Sequence, residues 1–266
     1  PVAHLAGGDL TEGSIDDAMR HAITKMAHLH FATNAEAARR IAQLGEDAAR
    51  IFQVGSPGID TIRQTPLLAR DALEAQLDFR LQPRNLLVTF HPPTMSGMSA
   101  ADQFEEVLTA LSRLDPNIGL IFTRPNADMA GRQLAGMLDR FVAQRRHAVA
   151  FASLGQVRYL SLIAQVDAVV GNSSSGLYEV PSLKKPTVNI GDRQDGRLRA
   201  SSVIDCAVDA DRILAAIEAA IVMDCRATVN PYGDGDSSRR ILATLKAITE
   251  PERLLMKSFC DLPRHD

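Results

Sequence analysis

The feature that most constrains this chain is an alternation of short, nearly continuous apolar runs with longer amphipathic segments. Residues 51–54, 86–90, 119–123, 148–151, 168–171 and 187–190 read as strands. Residues 16–27, 35–44, 102–114, 131–144, 156–164 and 210–223 carry helical periodicity. Apolar runs without polar alternation suit strands buried on both faces. Strand–helix alternation at this spacing predicts parallel sheets in a doubly wound α/β architecture. In such sheets ligands sit outside the carboxyl ends of the strands. His91, Asn126 and the run from Asn172 to Ser175 each follow a predicted strand.

Residues 65–84 are polar and helical, with Pro66 and Pro83 near their ends, and are expected to form an interdomain linker. Residues 1–64 contain too few predicted strands for an independent domain. They read as the C-terminal part of an N-terminal domain that is incomplete in this chain. Residues 85–250 form the expected ligand-binding domain, and 251–266 a closing helix. A turn cluster at 230–236 precedes the last helical region.

Composition excludes some classes. The net charge of −3 lacks the basic excess of a nucleic-acid-binding protein, but it does not oppose a small phosphorylated ligand held by a few placed groups. The three cysteines form neither a CxxC pair nor a metal-like cluster, so a disulfide framework is not expected and a reducing cytoplasm is. No stretch has the length and apolarity of a membrane span. The first residue is Pro1 rather than Met, which raises the expectation of a processed or truncated chain.

Five segments could carry chemistry. In Gly171-Asn172-Ser173-Ser174-Ser175-Gly176, followed by Leu177-Tyr178-Glu179, a strand ends, a hydroxyl-rich turn follows and a helix begins. Backbone amides at such a start favour phosphate, and the serines can add hydroxyl donors. Glu179 could accept both hydroxyls of a ribose. A serine N-cap with a helix-dipole glutamate accounts for the same residues. His91-Pro92-Pro93-Thr94 places an imidazole at a strand end, for phosphate donation or merely a loop hydrogen bond. Thr123-Arg124-Pro125-Asn126-Ala127-Asp128 offers Asn126 to sugar hydroxyls, although Pro-Asn is also ordinary turn chemistry. The loop from Gly191 to Arg197 carries Arg193 and Arg197, suited to an anion or to local salt bridges. Finally, Asp9, Glu12, Asp16, Asp17, Arg20 and His21 crowd around a Gly-Gly turn and the helix that follows. Clustered carboxylates can divide acid and base roles, or can simply complement the helix dipole.

Together these segments resemble the hydrolysing UDP-N-acetylglucosamine 2-epimerases. The resemblance runs from about Ala3 to the end of the chain. It is carried by the run from Gly13 to His28, which includes Ser14-Ile15-Asp16-Asp17-Ala18-Met19-Arg20-His21, and by the run from Gly171 to Pro181. It implies two Rossmann-like domains of the GT-B type, with UDP mainly on the C-terminal domain and the sugar in the interdomain cleft. It implies that Ser173 and Ser174 contact the diphosphate, that Glu179 holds the ribose, and that His91, Asn126 and Arg197 also bind UDP. It implies that Asp16, with Arg20 and His21 beside it, belongs to the segment supplying a catalytic carboxylate; His91 and Arg20 join the expected catalytic set. The implied reaction eliminates UDP across sugar C1 and C2, then adds water with inversion at C2. It needs neither a metal nor a redox cofactor. The resemblance further implies a cytoplasmic homodimer or homotetramer in sialic-acid or related nonulosonic-acid synthesis.

Two departures from the family pattern stand out. Some members carry a catalytic glutamate where this chain has Ala6, which leaves Asp9 or Glu12 to take over. Roughly a hundred upstream residues of the family are missing here, by half-domain arithmetic, so the isolated chain is expected to lack full catalytic competence. Three rival readings remain open. One is a UDP-dependent glycosyltransferase of the same fold, another a non-catalytic UDP-sugar-binding fragment. The third is a non-hydrolysing 2-epimerase, against which the three serines and Arg193-Gln194 argue. The residues do not separate UDP-N-acetylglucosamine from a deoxy, diacetamido relative.

Overall fold

The computed structural model describes residues 1–11, 15–92, 97–125 and 129–261. The chain forms two compact units, one of residues 1–64, 195–198 and 230–266, the other of residues 65–194 and 199–229.

The first unit carries three parallel strands in the order β1-β2-β3: β1 (Ala3–Leu5), β2 (Leu29–Ala32) and β3 (Ile51–Gln53). Helix α1 (Ile15–Met26) joins β1 to β2, and α2 (Ala35–Gln43) joins β2 to β3. Only β3 is legible as a strand in the sequence. β1 is three residues long. β2 reads Leu-His-Phe-Ala, and its central His30 interrupts the apolar run although it is fully buried. Its burial is made possible by Glu46, whose Oε2 lies 2.9 Å from His30 Nε2. Buried polar groups need such partners.

The same carboxylate ties the C-terminal segment to this unit. Lys25 Nζ and Lys257 Nζ lie 2.5 and 2.7 Å from its two oxygens. Lys257 also donates to the carbonyls of Lys25 and Ala27 at 2.6 Å each, satisfying acceptors that the end of α1 leaves open. Two further helices, α3 (Pro57–Gln64) and, after the second unit, α10 (Ser237–Lys246), pack together. Asp60 of α3 accepts hydrogen bonds from the amides of Ser237 and Ser238, at 2.9 and 2.5 Å, at the start of α10.

The second unit begins with α4 (Arg70–Leu77), which lies within the expected linker. Its polar surface hides Leu73 and Leu77, which are buried, and α4 packs on α7 (Gly155–Gln165). Six parallel strands follow: β4 (Asn85–Thr89), β5 (Gly119–Thr123), β6 (Ala148–Phe151), β7 (Ala168–Gly171), β8 (Thr187–Ile190) and β9 (Val203–Cys206). Their spatial order is β6-β5-β4-β7-β8-β9, the doubly wound order with its reversal between β4 and β7. β9, at one edge, is absent from the sequence reading because Asp205 breaks its apolar run; that carboxylate accepts from Asn189 and Arg199.

The core explains why the strand runs are continuous. On one face Leu86, Val88, Leu120, Phe122, Val170 and Val188 pack against α5 (Ala100–Ser112), α6 (Met129–Ala143) and α9 (Ala210–Ile221). The alternate residues Leu87, Ile121 and Val169 are equally buried, and α7 packs on β4. A strand covered on both faces has no position for an exposed side chain. Ser99 and Asp209 cap α5 and α9 by accepting from the amides of Asp102 and Arg212. Among the described residues, no helix is long and apolar enough to cross a membrane.

Candidate functional site

The reversal of strand order opens a crevice at the carboxyl ends of β4 and β7, and the chain closes the base of it with one side chain. Asn172 is 1% exposed. Its Oδ1 accepts from the His91 amide at 2.7 Å, and its Nδ2 donates to the His91 carbonyl at 2.8 Å. Its own carbonyl accepts from Arg193 at 3.0 Å and from Gln194 at 2.8 Å. Asn172 thus joins three loops, those after β4, β7 and β8. Gly171 before it has φ +136, and a Cβ there would lie 1.9 Å from the Thr89 carbonyl oxygen. The close passage of β7 beside β4 therefore requires glycine.

Beyond Asn172 the three serines turn into α8 (Ser175–Tyr178), a helix of four residues extended by a 3-10 turn over Val180–Leu183. The Ser173 carbonyl accepts from the Gly176 amide at 3.1 Å, and the Ser174 carbonyl from the amides of Leu177 and Tyr178 at 3.0 Å each. The Ser175 amide donates to Ser173 Oγ at 3.4 Å. With its carbonyls turned into the helix, this segment leads Ser173, Ser175 and Glu179 to the wall of a cavity of about 450 Å³. His91, Thr89 and Tyr159 line the same cavity. Its size suits a nucleotide-sized ligand. Ser174, half-buried, sits at the N-cap position beside it.

Tyr159, on α7, holds the floor. Its hydroxyl donates to Ser175 Oγ at 2.8 Å, and burial pushes its pKa up to about 12, so it stays protonated at neutral pH. Thr89 and Thr123, at the ends of β4 and β5, place their hydroxyl oxygens 2.6 Å apart. At the rim, a hydrogen bond from Arg124 to Asp139 at 2.6 Å raises the guanidinium's affinity for its proton and lowers the carboxyl's.

Of the predicted residues, His91, Ser173 and Glu179 therefore meet at one cavity, with Ser174 next to it. Asn126 and Thr94 lie outside the described residues, as does Glu12. Arg197 belongs to the first unit: its Nη2 donates to Thr11 Oγ1 at 3.2 Å, and Arg20 Nη2 lies 3.4 Å from the same oxygen.

Around Thr11 the first unit assembles its own polar cluster. Arg20 donates to the Asp9 carbonyl at 2.9 Å and to Asp17 Oδ1 at 3.3 Å; the Thr11 amide donates to that same Oδ1 at 2.8 Å. His21 Nε2 lies 3.3 Å from Asp17 Oδ2. Asp16 is exposed, whereas Asp9 is 7% exposed. Asp9 Oδ1 accepts from Thr33 at 2.6 Å and from Asn34 at 3.2 Å. Asn34 in turn caps α2, accepting from the Ala37 amide at 2.9 Å. Gly8 makes this approach possible: at φ +76, a Cβ would lie 2.2 Å from the Ala37 carbonyl oxygen. Ala6, where some relatives of the family place glutamate, adopts φ 60.

Sequence reasoning passed over Asn172 as a positioning group, and Thr89 and Tyr159 altogether. Tyr159 left a signal: it is one of three tyrosines and sits in an apolar helix. A buried tyrosine hydroxyl needs a partner.

The fold and the cavity define an α/β protein with a phosphate-compatible turn at the switch point of a doubly wound sheet. The UDP-N-acetylglucosamine 2-epimerase family model matches residues 1–246, and the chain belongs to that family. It is 41% identical over 212 residues to a GDP/UDP-N,N'-diacetylbacillosamine 2-epimerase (hydrolyzing) of Campylobacter jejuni, with 79% of this chain and 54% of the relative covered. It is 33% identical over 257 residues to a UDP-N,N'-diacetylbacillosamine 2-epimerase (hydrolyzing) of Legionella pneumophila, covering 97% of this chain and 67% of that one. The chain thus spans 54% of the length of the first relative and 67% of the second. A crystal structure of the Neisseria meningitidis UDP-GlcNAc 2-epimerase bound to UDP-GlcNAc superposes with TM-score 0.77 at 17% identity, covering 92% of this chain and 70% of that one. The fold is therefore that of the UDP-GlcNAc 2-epimerases.

Proposed function

We propose that this chain is the nucleotide-binding and part of the catalytic portion of a hydrolysing 2-epimerase that acts on a UDP-activated 2-acetamido sugar. The observation that carries the proposal is the cavity at the switch point, where His91, Ser173 and Glu179 converge. The hydrolysing relatives from Campylobacter and Legionella support the choice of reaction.

In this reading, Ser173 and Ser174 donate to the diphosphate and Glu179 accepts from the ribose hydroxyls. His91 and Asn126 complete the hold on UDP, and Arg197 supplies positive charge to it. A carboxylate base takes the proton from sugar C2, and the C2–H electron pair forms the C1–C2 double bond. The C1–O bond breaks with its electrons leaving on UDP, whose charge the cationic and hydroxyl donors stabilise. Water then adds its oxygen to C1, while a proton is delivered to C2 on the opposite face. Asp16, exposed on the first turn of α1 and close in sequence to Arg20, is our choice for one member of the acid–base pair; of the two sequence candidates for its partner, Asp9 and Glu12, Asp9 is 7% exposed and already accepts from Thr33 and Asn34, which favours Glu12. We place this reaction in the cytoplasm, feeding a nonulosonic-acid route. The diacetamido sugars named for the relatives make such a sugar the first substrate to try, beside UDP-N-acetylglucosamine.

The test is product analysis after incubation with either UDP-sugar, on this chain and on a longer version extended to the full length of the relatives. Release of UDP with a free, C2-inverted sugar supports the proposal. UDP release that requires an acceptor alcohol points instead to a glycosyltransferase. A C2-inverted sugar still bound to UDP points to a non-hydrolysing epimerase. UDP binding without turnover in both versions leaves a binding module.

A further inference from the structure

The segment after β1 and the second turn of α1 bring two guanidinium groups onto one neutral oxygen. Arg20 Nη2 lies 3.4 Å and Arg197 Nη2 lies 3.2 Å from Thr11 Oγ1. A guanidinium only donates, so both contacts run toward the hydroxyl. Arg197 reaches it from residues 195–198, which belong to the first unit, so all three residues lie in one compact unit. Each of the three is half-buried. Like charges held to one oxygen repel, and a hydroxyl does not neutralise them. Asp17 and Asp9 offset this only in part. Asp17 accepts from Arg20 at 3.3 Å, but its two oxygens also take the Thr11 amide at 2.8 Å and face His21 at 3.3 Å. Asp9 offers Arg20 its carbonyl, while its carboxylate accepts from Thr33 and Asn34.

Thr11 sets what such a group can bind. Both lone pairs of its hydroxyl are taken by guanidinium protons, so its own proton points away from both arginines. Among the described residues nothing accepts that proton. Arg20 Nη1 donates to the Asp9 carbonyl and to Asp17, and Nη2 to Thr11, which leaves Nη2 a second proton to give. Two planar cations and a hydroxyl donor around one point suit an oxyanion with several charged oxygens. Phosphate is the class that arginine forks match best.

We propose that Thr11, Arg20 and Arg197 form an oxyanion site of the first unit, in which Thr11 gathers the two guanidinium groups and donates its own hydroxyl proton to a phosphate oxygen. The site stands on these three side chains and goes beyond the reading above, which gives Thr11 no role and does not join the two arginines. Holding both forks at one oxygen in advance lowers the ordering cost when the anion arrives. Two sources of the phosphate fit this chemistry, the diphosphate of a nucleotide and a free phosphate, and the titrations separate them.

The experiment is calorimetric titration of the full chain with UDP, with uridine and with inorganic pyrophosphate. Thr11→Val keeps the side chain's shape and removes its hydroxyl, whereas Thr11→Ser keeps the hydroxyl. Thr11→Val is expected to weaken the phosphate ligand about tenfold and Thr11→Ser no more than about twofold. Arg197→Lys keeps the charge but loses the fork, and is expected to cost about fivefold. The pair Thr11→Val with Arg197→Lys is expected to lose less than the product of the two, because both dismantle one site. A Thr11→Val loss on UDP makes the nucleotide's diphosphate the occupant; a loss on pyrophosphate alone makes it a free phosphate. Uridine, which lacks phosphate, is expected to bind all variants alike, and a Thr11→Val chain that loses uridine as well overturns the site in favour of a structural role. UDP and pyrophosphate affinities unchanged in Thr11→Val overturn the site and leave the nucleotide reading standing. So does a loss as large in Thr11→Ser as in Thr11→Val. A wild-type chain that binds pyrophosphate but not UDP overturns the nucleotide reading alone, and the variants are then ranked on pyrophosphate. A wild-type chain that binds neither overturns both.

Discussion

The two polar clusters of this protein use the same residue types for opposite ends. In the first unit, Asp9 and Glu46 are nearly withdrawn from water, and each has bonds that knit separate segments together. In the second unit, Glu179 is half-buried at the edge of a 450 Å³ cavity, and the hydroxyls of Thr89, Thr123, Tyr159 and Ser175 line the same space. A carboxylate whose oxygen already accepts from two side chains holds the fold. One that fronts a cavity is available to a ligand. The difference teaches that burial and partner count, not residue type, separate scaffold from site.

The sharpest way to break this comparison is to remove Glu46. Lys25, Lys257 and His30 would lose their common partner, and breaking a buried ion pair from one side costs roughly 3–5 kcal/mol. Glu46→Ala is expected to unfold the first unit at much lower temperature, as followed by hydrogen exchange in β2 and α1, while UDP affinity stays unchanged. If stability is retained, the first cluster is not a scaffold.

Asp9→Ala comes next. It strands the Thr33 hydroxyl and one Asn34 amide donor in a buried place, at a cost of about 2–3 kcal/mol. Asp9→Asn keeps an acceptor and should recover most of that loss in a denaturant melt. A stable Asp9→Ala that has lost turnover in the longer enzyme would move Asp9 from scaffold to chemistry.

Glu179→Ala is the mirror experiment. Loss of the ribose acceptor is expected to weaken UDP about tenfold, equivalent to about 1.4 kcal/mol, with the melting curve unmoved. A large fall in stability with intact UDP affinity would reverse the assignment of the two clusters.

The smallest expected effect is on pH. Burial first, helped by Lys257 and Lys25, holds His30 below its ordinary value of 6.5 against the pull of Glu46. The unfolded chain therefore takes up that proton before the folded one does. The stability linked to His30 is complete above 6.5 and is lost as pH falls toward the folded value, at no more than about 1.4 kcal/mol per pH unit. For Glu46, burial works to raise the pKa, but the bonds from Lys25 and Lys257 prevail and hold it below its ordinary 4.5. Its contribution is lost at still lower pH. Melting temperature measured from pH 7.5 to 5 should decline, and His30→Gln should flatten the upper part of the curve.

The sequence by itself determined the second unit's strands β4 to β8, because a parallel strand covered on both faces must be apolar throughout and leaves an unbroken run such as Leu86-Leu87-Val88. It also determined where to look for a ligand, since His91 and the three serines follow strand ends. It did not reveal β2, β9 or the packed face of α4. In each case a polar residue masks the pattern, and only tertiary structure supplies the partner that allows it: Glu46 for His30, Arg199 and Asn189 for Asp205, α7 for the leucines of α4. Which carboxylates serve the fold and which face a cavity was likewise decided in three dimensions. Local sequence sets a side chain's chemistry, but its free valences depend on residues far along the chain, as those of Glu46 do on Lys257 and those of Asn172 on His91.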